Sequence, residues 1–311
     1  MVGDAVADQF VFGAISRVSR EAPVFILRHE YTETTPGGGA NCAMNLASLG
    51  AAVSLVSVAG EDEAGNGLRE KLSGAGVDCS GLIQSSTVKT TTKVRILAGE
   101  THSTRQQVIR IDYEGEAPTG VEVRRSLHES LLSQLKTVDA VIISDYNYGV
   151  VNEEMVAAIR ETAATRGITV LVDSRFQLSE YAGFTSATPN EEEVETLLGK
   201  SVTAEELVEA GKDLRRQLGL RALLVTSGSR GMTLFEEGAE PVHIDAVGAR
   251  EPVDVTGAGD TVIAAYTLAL ACDSSFSDSA KLANYAGGLV VMKRGTATVT
   301  ADELIATLER Q

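Results

Sequence analysis

Strand-like and helix-like segments alternate through the second half of this chain, and that alternation constrains its fold more than any other feature. Short apolar runs at 140–144, 168–172 and 222–226 predict buried strands. Helical patterns at 152–166 and 204–218 separate these runs, and Gly167 closes the first helix. Because strands joined through helices run parallel, we expect an α/β fold of three layers, α/β/α, with a mainly parallel central sheet.

Polar residues follow the predicted strands directly. Asp145 and Asp173 each end an apolar run, and Thr226 ends the third. Ligands of open parallel sheets bind beyond the carboxyl ends of the strands. The sequence therefore predicts a binding cleft along this edge of the sheet.

Two other segments, approximately 10–35 and 88–113, do not fit the alternating pattern. Both contain Thr- and Val-rich runs in which apolar and polar residues alternate, as in antiparallel strands with one solvated face. We interpret them as a small β-sheet that forms a lid over the strand ends. The sequence contains no repeat or obvious linker, so a single domain over residues 1–311 is expected.

Composition excludes several classes of protein. The formal net charge of −16 argues against nucleic-acid binding, although a few local cations and amides can still bind a small anion. The three cysteines and four histidines show no metal-ligand spacing. Neither a membrane-spanning run nor a secretory signal is evident, so the sequence predicts a cytoplasmic protein with no membrane partner.

The segment 254–261, DVTGAGDT, carries the sharpest chemical signal. Gly257 and Gly259 allow a ligand to approach the backbone, and their amides, with that of Ala258, open a predicted apolar helix. Asp260 lies in the same first turn, where it can accept a hydroxyl proton beside an anion-binding site. A glycine turn with an aspartate that compensates the helix dipole would give the same local pattern.

The full pattern D-x-T-G-A-G-D resembles the signature of the ribokinase-like (PfkB) family of carbohydrate kinases. Four further segments resemble family landmarks and occur in the family's order: 3–8, 36–41, 188–193 and 226–231. Each segment alone could be only a turn, a surface carboxylate or a helix cap, but their joint order favours the family. The resemblance implies a ribokinase-like fold and ATP-dependent phosphorylation of a sugar, with Asp260 as the base.

The resemblance also implies roles for individual residues. Sugar-binding roles fall on Asp8, Gly38, Gly39 and Asn41. Nucleotide-binding roles fall on Thr226, Gly228, Gly231 and Asn284. Mg²⁺ and its waters would be organised by Asn190 and Glu193, with Asp254 helping to order Mg²⁺ or, as in some relatives, a monovalent cation such as K⁺.

A closer resemblance narrows the substrate. Segments 15–24, 90–95, 106–112, 144–149 and 295–299 are similar to the kinase domains of bacterial ADP-heptose synthesis enzymes. These domains phosphorylate the anomeric hydroxyl of D-glycero-β-D-manno-heptose 7-phosphate for the lipopolysaccharide core. The substrate phosphate needs cations, and Lys93 and Arg110 are the preferred candidates, ahead of Arg95 and Arg105. Exposed charge on a sheet is more often a solvated face.

Other interpretations stay open. The family usually has Pro at Arg20 and a Lys-containing segment at 173–175, so another sugar such as fructose or ribose, or another sugar phosphate, is an alternative. A non-catalytic sugar or nucleotide sensor is a second. The resemblance also implies a homodimer through the lid. The nucleotidyltransferase domain of the bifunctional relatives is expected to be absent, and only two residues precede Gly3, which predicts a short or incomplete first strand.

Two motif classes are not supported. Gly199-Lys200-Ser201 resembles the end of a P-loop, but Val194 occupies the position of its first glycine. No G-x-G-x-x-G follows the first strand, so an NAD-linked oxidoreductase has no support beyond the α/β layout.

Overall fold

The computed structural model describes residues 1–99, 105–115, 117–248 and 252–310, without the side chains of residues 204 and 205. Residues 100–104 of the second predicted lid segment therefore lie outside the described residues. The strands are β1 (Val2–Gly3), β2 (Ala5–Val18), β3 (Phe25–Gly38), β4 (Ser57–Gly60), β5 (Leu82–Ser85), β6 (Thr92–Gly99), β7 (Gln106–Tyr113), β8 (Ala140–Asp145), β9 (Thr169–Ser174), β10 (Ser186–Ala187), β11 (Ala222–Thr226), β12 (Met232–Glu236) and β13 (Val242–Ile244). The helices are α1 (Gly39–Ser48), α2 (Glu63–Gly74), α3 (Val121–Gln134), α4 (Glu153–Arg166), α5 (Glu191–Leu198), α6 (Ala204–Gln217), α7 (Ala258–Ala271), α8 (Phe276–Val290) and α9 (Ala301–Leu308).

The central sheet has the strand order β1-β8-β9-β10-β11-β12-β13. The first five strands in this order are parallel, and β12 and β13 are antiparallel to their neighbours. Buried side chains form one apolar cluster that includes α1, α7 and α8 and another that includes α3, α4 and α6. The prediction of a mainly parallel sheet flanked by helices is confirmed.

Local sequence signals explain where the helices begin and end. Asn152 caps α4, because its side chain accepts a hydrogen bond from the Met155 amide, and Gly167 ends the helix in the left-handed conformation. The side chain of Asn190 accepts from the Glu193 amide in a full capping box at the start of α5. These caps place the helix termini, and the residues beside them, at fixed points on the edges of the sheet.

A second sheet has the order β3-β2-β6-β7. Its strands come from residues 5–38 and 92–113, so the first segment begins earlier than the predicted residue 10, whereas the second begins later than the predicted residue 88. Asp8 consequently lies within β2, opposite Lys93 of β6, and not at the end of a strand of the central sheet. Asp4 alone separates β1 from β2, so the chain passes from one sheet directly into the other.

The first strand of the central sheet is short. Val2 and Gly3 pair with Ile143 and Ser144 of β8, and the Gly3 amide donates to Val56 O at 3.2 Å. Backbone groups on both sides of β1 are therefore satisfied. No helix in the described part of the chain has the length and apolar character that a bilayer crossing requires.

Candidate active site

Two cavities meet at the carboxyl ends of the central strands. The first has a volume of about 360 Å³ and is lined by groups from both sheets. The second has a volume of about 240 Å³ and is lined mainly by small and apolar residues from 226–262 and 284–291. The residues that line both cavities are Thr226, Val255, Ala258 and Gly259. A polar compartment and a more apolar one thus share a wall at the start of α7.

Asp260 lies on the wall of the polar cavity, in the first turn of α7. Its side chain is held by two donors: Asn41 Nδ2 donates to Oδ2 at 2.8 Å, and the Tyr146 hydroxyl donates to Oδ1 at 3.0 Å. Asn41 Oδ1 in turn accepts a hydrogen bond from Asn45 Nδ2 at 3.3 Å. The predicted base is therefore at the cavity in a fixed orientation.

Burial makes this carboxyl an unusually weak acid. Asp260 is 4% exposed, and desolvation raises its pKa from 3.8 to about 7. The hydrogen bonds from Asn41 and Tyr146 oppose this rise, while the negative charges of Asp173 and Asp8 add to it. A carboxylate with a pKa near neutrality is well matched to accepting a proton from an alcohol.

The first turn of α7 offers free amides beside Asp260. Gly257 is the N-cap residue, with a φ of 76° in the left-handed region. Among the described residues, no acceptor contacts the Gly257 or Gly259 amide, whereas the Ala258 amide donates to Val255 O at 3.2 Å. Of the three predicted anion-binding amides, two are thus available in this structure. A helix N-terminus with free amides favours negative charge.

The predicted sugar-binding residues do not all line the polar cavity. Asp8 and Gly38 do, and Asp8 forms an ion pair with Arg95 of the neighbouring strand. Gly39 begins α1 and donates its amide to Asp4 O at 2.9 Å. Asn41 lies behind the wall, where its amide holds Asp260 as described above.

The cations of the second sheet separate into two groups. Lys93 and Arg95 line the polar cavity. Arg110 lies further out on β7, is 53% exposed and forms an ion pair with Asp112 at 2.9 Å. Arg105 also forms an ion pair, with Glu30, and contacts the Phe12 and Tyr31 rings. The structure therefore places Lys93, but not Arg110, on the cavity wall.

Of the residues predicted to organise Mg²⁺, two line the polar cavity and one does not. Asn190 and Glu193 line the polar cavity, and they also form the capping box of α5. Asp254 does not line it: Oδ1 accepts from the Thr256 amide and Oδ2 from the Gly295 amide, both at 2.9 Å. In the described ranges, no group of three or more His, Cys, Asp or Glu is arranged to hold a metal directly.

The predicted nucleotide-binding residues all lie at the second cavity. Thr226, Gly228, Gly231 and Asn284 line it. Asn284 Nδ2 donates to Asp245 O at 2.7 Å and so ties α8 to the segment after β13. At Gly231, φ is 95° and an added Cβ would lie 2.0 Å from Ile244 O, so only glycine fits this turn.

Some residues on the polar cavity were given no specific role from the sequence. Tyr146 and Arg175 line it, as do Asp145 and Asp173 at the strand ends. Burial raises the pKa of Asp173 to about 7, and the charge of Glu193 adds to this. The sequence placed both aspartates at the sheet edge because they follow apolar runs, whereas Tyr146 was noted only within the similar segment 144–149 and received no role.

Comparison with known proteins gives a consistent result. The sequence profile described as pfkB family carbohydrate kinase matches residues 6–303. The chain is 41% identical over 305 residues to the bifunctional protein HldE of Pectobacterium atrosepticum, covering 98% of this chain and 62% of that protein. Against the HldE of Pseudomonas aeruginosa strain UCBPP-PA14, identity is 40% over 312 residues, with 100% and 63% covered. The chain thus spans about three fifths of the length of these relatives.

Solved structures share the fold. Escherichia coli phosphofructokinase-2 in complex with substrates and products superposes with a TM-score of 0.81 at 19% identity, covering 100% of this chain and 98% of that one. Arabidopsis thaliana ribokinase complexed with ribose and ATP gives 0.75 at 23% identity, covering 99% and 97%. At these identities the likeness concerns the fold alone.

Proposed function

Because the chain belongs to the pfkB family of carbohydrate kinases, we propose that it transfers the γ-phosphoryl group of MgATP to the anomeric hydroxyl of D-glycero-β-D-manno-heptose 7-phosphate. One observation carries this proposal: a polar cavity and a more apolar cavity share a wall at the free amides of α7, beside Asp260. That arrangement provides separate compartments for a sugar and a nucleotide whose reacting ends meet at a base.

Each group of residues around the two cavities has its own role in this proposed reaction. The sugar lies in the polar cavity against Asp8 and Gly38, and the nucleotide lies along Thr226 and Gly231. Asp260 takes the proton of the sugar hydroxyl as that oxygen attacks the γ-phosphorus, and the bond from this phosphorus to the β,γ-bridging oxygen breaks to release ADP. The amides of the first α7 turn stabilise charge on the phosphoryl group in transit.

Mg²⁺ fits the polar cavity through Glu193, whose carboxylate is partly buried at the wall beside the strand-end carboxylate of Asp173. Oxygen ligands and retained waters are what Mg²⁺ prefers, so Asn190 and Glu193 would act mainly through water. When bound, the ion neutralises charge on the triphosphate. Asp254 would contribute by fixing the loop before α7. Turnover measured with K⁺ replaced by Na⁺ tests whether a monovalent cation also takes part. A structure of Escherichia coli phosphofructokinase-2 in complex with potassium is among those that share the fold.

The substrate assignment rests on the cations of the cavity and on the similarity to HldE. Lys93 makes no ion pair in the part of the chain that the structure describes, and its Nζ lies 5.4 Å from the centroid of the Tyr146 ring. Burial, followed by the nearby charge of Arg175, lowers the pKa of Lys93. A bound phosphate would offset both effects, because opposite charge favours the protonated amine. A sugar that carries a phosphate therefore suits this wall.

A panel of acceptors tests the proposal. We expect ADP release with D-glycero-β-D-manno-heptose 7-phosphate to exceed that with fructose 6-phosphate, ribose or fructose in kcat/KM, and ³¹P NMR should show a new anomeric phosphate. Faster turnover of another acceptor would reassign the sugar while leaving the kinase intact. ATP binding without transfer to any acceptor would support the sensor alternative.

The outer face of the second sheet supports a homodimer. Val94 and Ile96 of β6 pair with Ile111 and Ile109 of β7, on the face opposite the cavity-lining Lys93. Ile109 is 52% exposed and Ile111 is 38% exposed. Contiguous exposed apolar surface of this kind marks an interaction site. Light scattering should give a dimer that Ile109→Lys converts to a monomer, whereas Val121→Lys on α3 leaves it unchanged; a monomeric unmodified chain would contradict the assignment.

A further inference from the structure

Tyr146 lies between the base and the cations of the polar cavity. Its hydroxyl donates to Oδ1 of Asp260 at 3.0 Å. Lys93 Nζ lies 5.4 Å from the centroid of its ring, and Arg175 Cζ lies 5.8 Å from it. Cations within about 6 Å of an aromatic face are attracted to it. One side chain therefore contacts the base and both cations.

The main chain holds Tyr146 firmly in this place. The buried carboxylate of Asp4 accepts hydrogen bonds from the amides of Tyr146 at 2.8 Å and of Tyr148 and Val150 at 3.1 Å. Gly38 lies against the ring, because an added Cβ at Gly38 would lie 3.3 Å from Cε2 of Tyr146. The turn is thus anchored at three amides, and Gly38 leaves the room that the ring occupies.

The hydroxyl has a chemical consequence for Asp260. A donor that bonds a carboxylate favours its ionised form, because the neutral acid accepts a weaker hydrogen bond. Asn41 supplies one such donor to Oδ2 and Tyr146 supplies the other to Oδ1. We propose that Tyr146 is a positioning residue for phosphoryl transfer, which orients the Asp260 carboxylate through its hydroxyl and keeps it in the proton-accepting form. This inference rests on the proposed function for its kinetic consequence only.

The test is the pH dependence of Tyr146→Phe. The tyrosine hydroxyl lowers the pKa of Asp260 against the effect of burial, so its removal should raise that pKa. A hydrogen bond to a charged group corresponds to a shift of about one to two pH units, and the acid limb of kcat/KM should move to higher pH by that amount. Activity should recover once the pH exceeds the new value, which simple misfolding would not produce.

Tyr148→Phe is the matched control. It removes a phenol hydroxyl from the same turn, and in the described structure no hydrogen bond joins Tyr148 to Asp260. Its acid limb should coincide with that of the unmodified enzyme. An equal shift in both variants would overturn the proposal.

A measurement without substrates separates this inference from the proposed function. ¹³C NMR of the aspartate carboxyls, with Asp260 assigned from the spectrum of Asp260→Asn, follows its titration directly. In Tyr146→Phe the Asp260 midpoint should rise by about one to two pH units. An unmoved midpoint overturns the role of Tyr146 whatever the enzyme phosphorylates, and a chain inactive on all sugars overturns the function while this titration stands.

Discussion

Asp260 should lower the stability of the folded chain at the pH where it acts as a base. Its pKa is 3.8 in an unperturbed chain and about 7 when folded. A carboxyl whose pKa is raised by folding binds more protons in the folded state between those two values. The free energy of unfolding therefore falls as pH rises through this window, and the full stability contribution is present only below the lower pKa.

The size of the effect follows from the two pKa values. At about 1.4 kcal/mol per pH unit, complete ionisation costs about 4 kcal/mol, and this full cost applies at pH 8.5. At pH 5.5 the unfolded chain is already ionised while the folded one is protonated, so the cost is about 2 kcal/mol. Asp260→Asn carries no charge at either pH. Its stability relative to the unmodified chain should thus be about 2 kcal/mol greater at pH 8.5 than at pH 5.5.

Reversible urea denaturation at the two pH values measures this difference, and any pH-independent effect of replacing oxygen by nitrogen cancels. The chain has no tryptophan, so circular dichroism is the suitable signal. Asp254→Asn is the matched control. Burial alone would raise the pKa of Asp254, but hydrogen bonds, above all from the Thr256 amide, lower it, so this variant should lose stability equally at both pH values. A relative stability of Asp260→Asn that is the same at both pH values would refute the reasoning.

Three further predictions concern catalysis and backbone strain. Asp260→Asn should lower kcat by about 10²- to 10⁴-fold in an ADP-release assay while calorimetry shows ATP binding retained, and near-normal turnover would remove Asp260 from its role. Lys93→Ala should raise KM for the phosphorylated sugar by about 10- to 100-fold, whereas the outlying Arg110→Ala should change it little; equal losses would contradict the separation of the two cations. Gly231→Ala should lower the free energy of unfolding by more than about 1 kcal/mol, because its Cβ would lie 2.0 Å from Ile244 O, and by more than Gly238→Ala, where φ is also positive and the space is open.

The elements with strong local patterns were predictable. Apolar runs followed by a polar residue located β8, β9 and β11, and with them Asp145, Asp173 and Thr226 at the cavity. Here burial on both faces of a parallel strand leaves little freedom in the sequence, and strand direction determines which edge receives the polar ends. The helix α7 was equally predictable, because glycines precede a long apolar run there.

Side-chain placement across elements was not predictable in the same way. Tyr146 reaches Asp260 because Asp4 anchors the turn that carries it and because Asn147 takes a φ of 65°, neither of which leaves a periodic signal. Arg110 and Lys93 lie in similar sequence contexts, yet β7 is an edge strand of the second sheet and β6 is an inner one. Which cation faces the cavity depends on the strand order, and this is decided by contacts far apart along the chain.

The two-sheet junction limits how the enzyme can open. Only Asp4 lies between β1 and β2, and β3 passes into α1 at Gly38 and Gly39 without a connecting loop. Because these connections are so short, the end of the second sheet next to the central sheet cannot rotate as a rigid hinged flap. We expect any opening to come instead from bending within its long strands, beyond the register irregularities between Phe12 and Gly13 and between Ile15 and Arg17. The outer half of the sheet would then move while Asp8, close to the junction, keeps its place on the wall of the polar cavity.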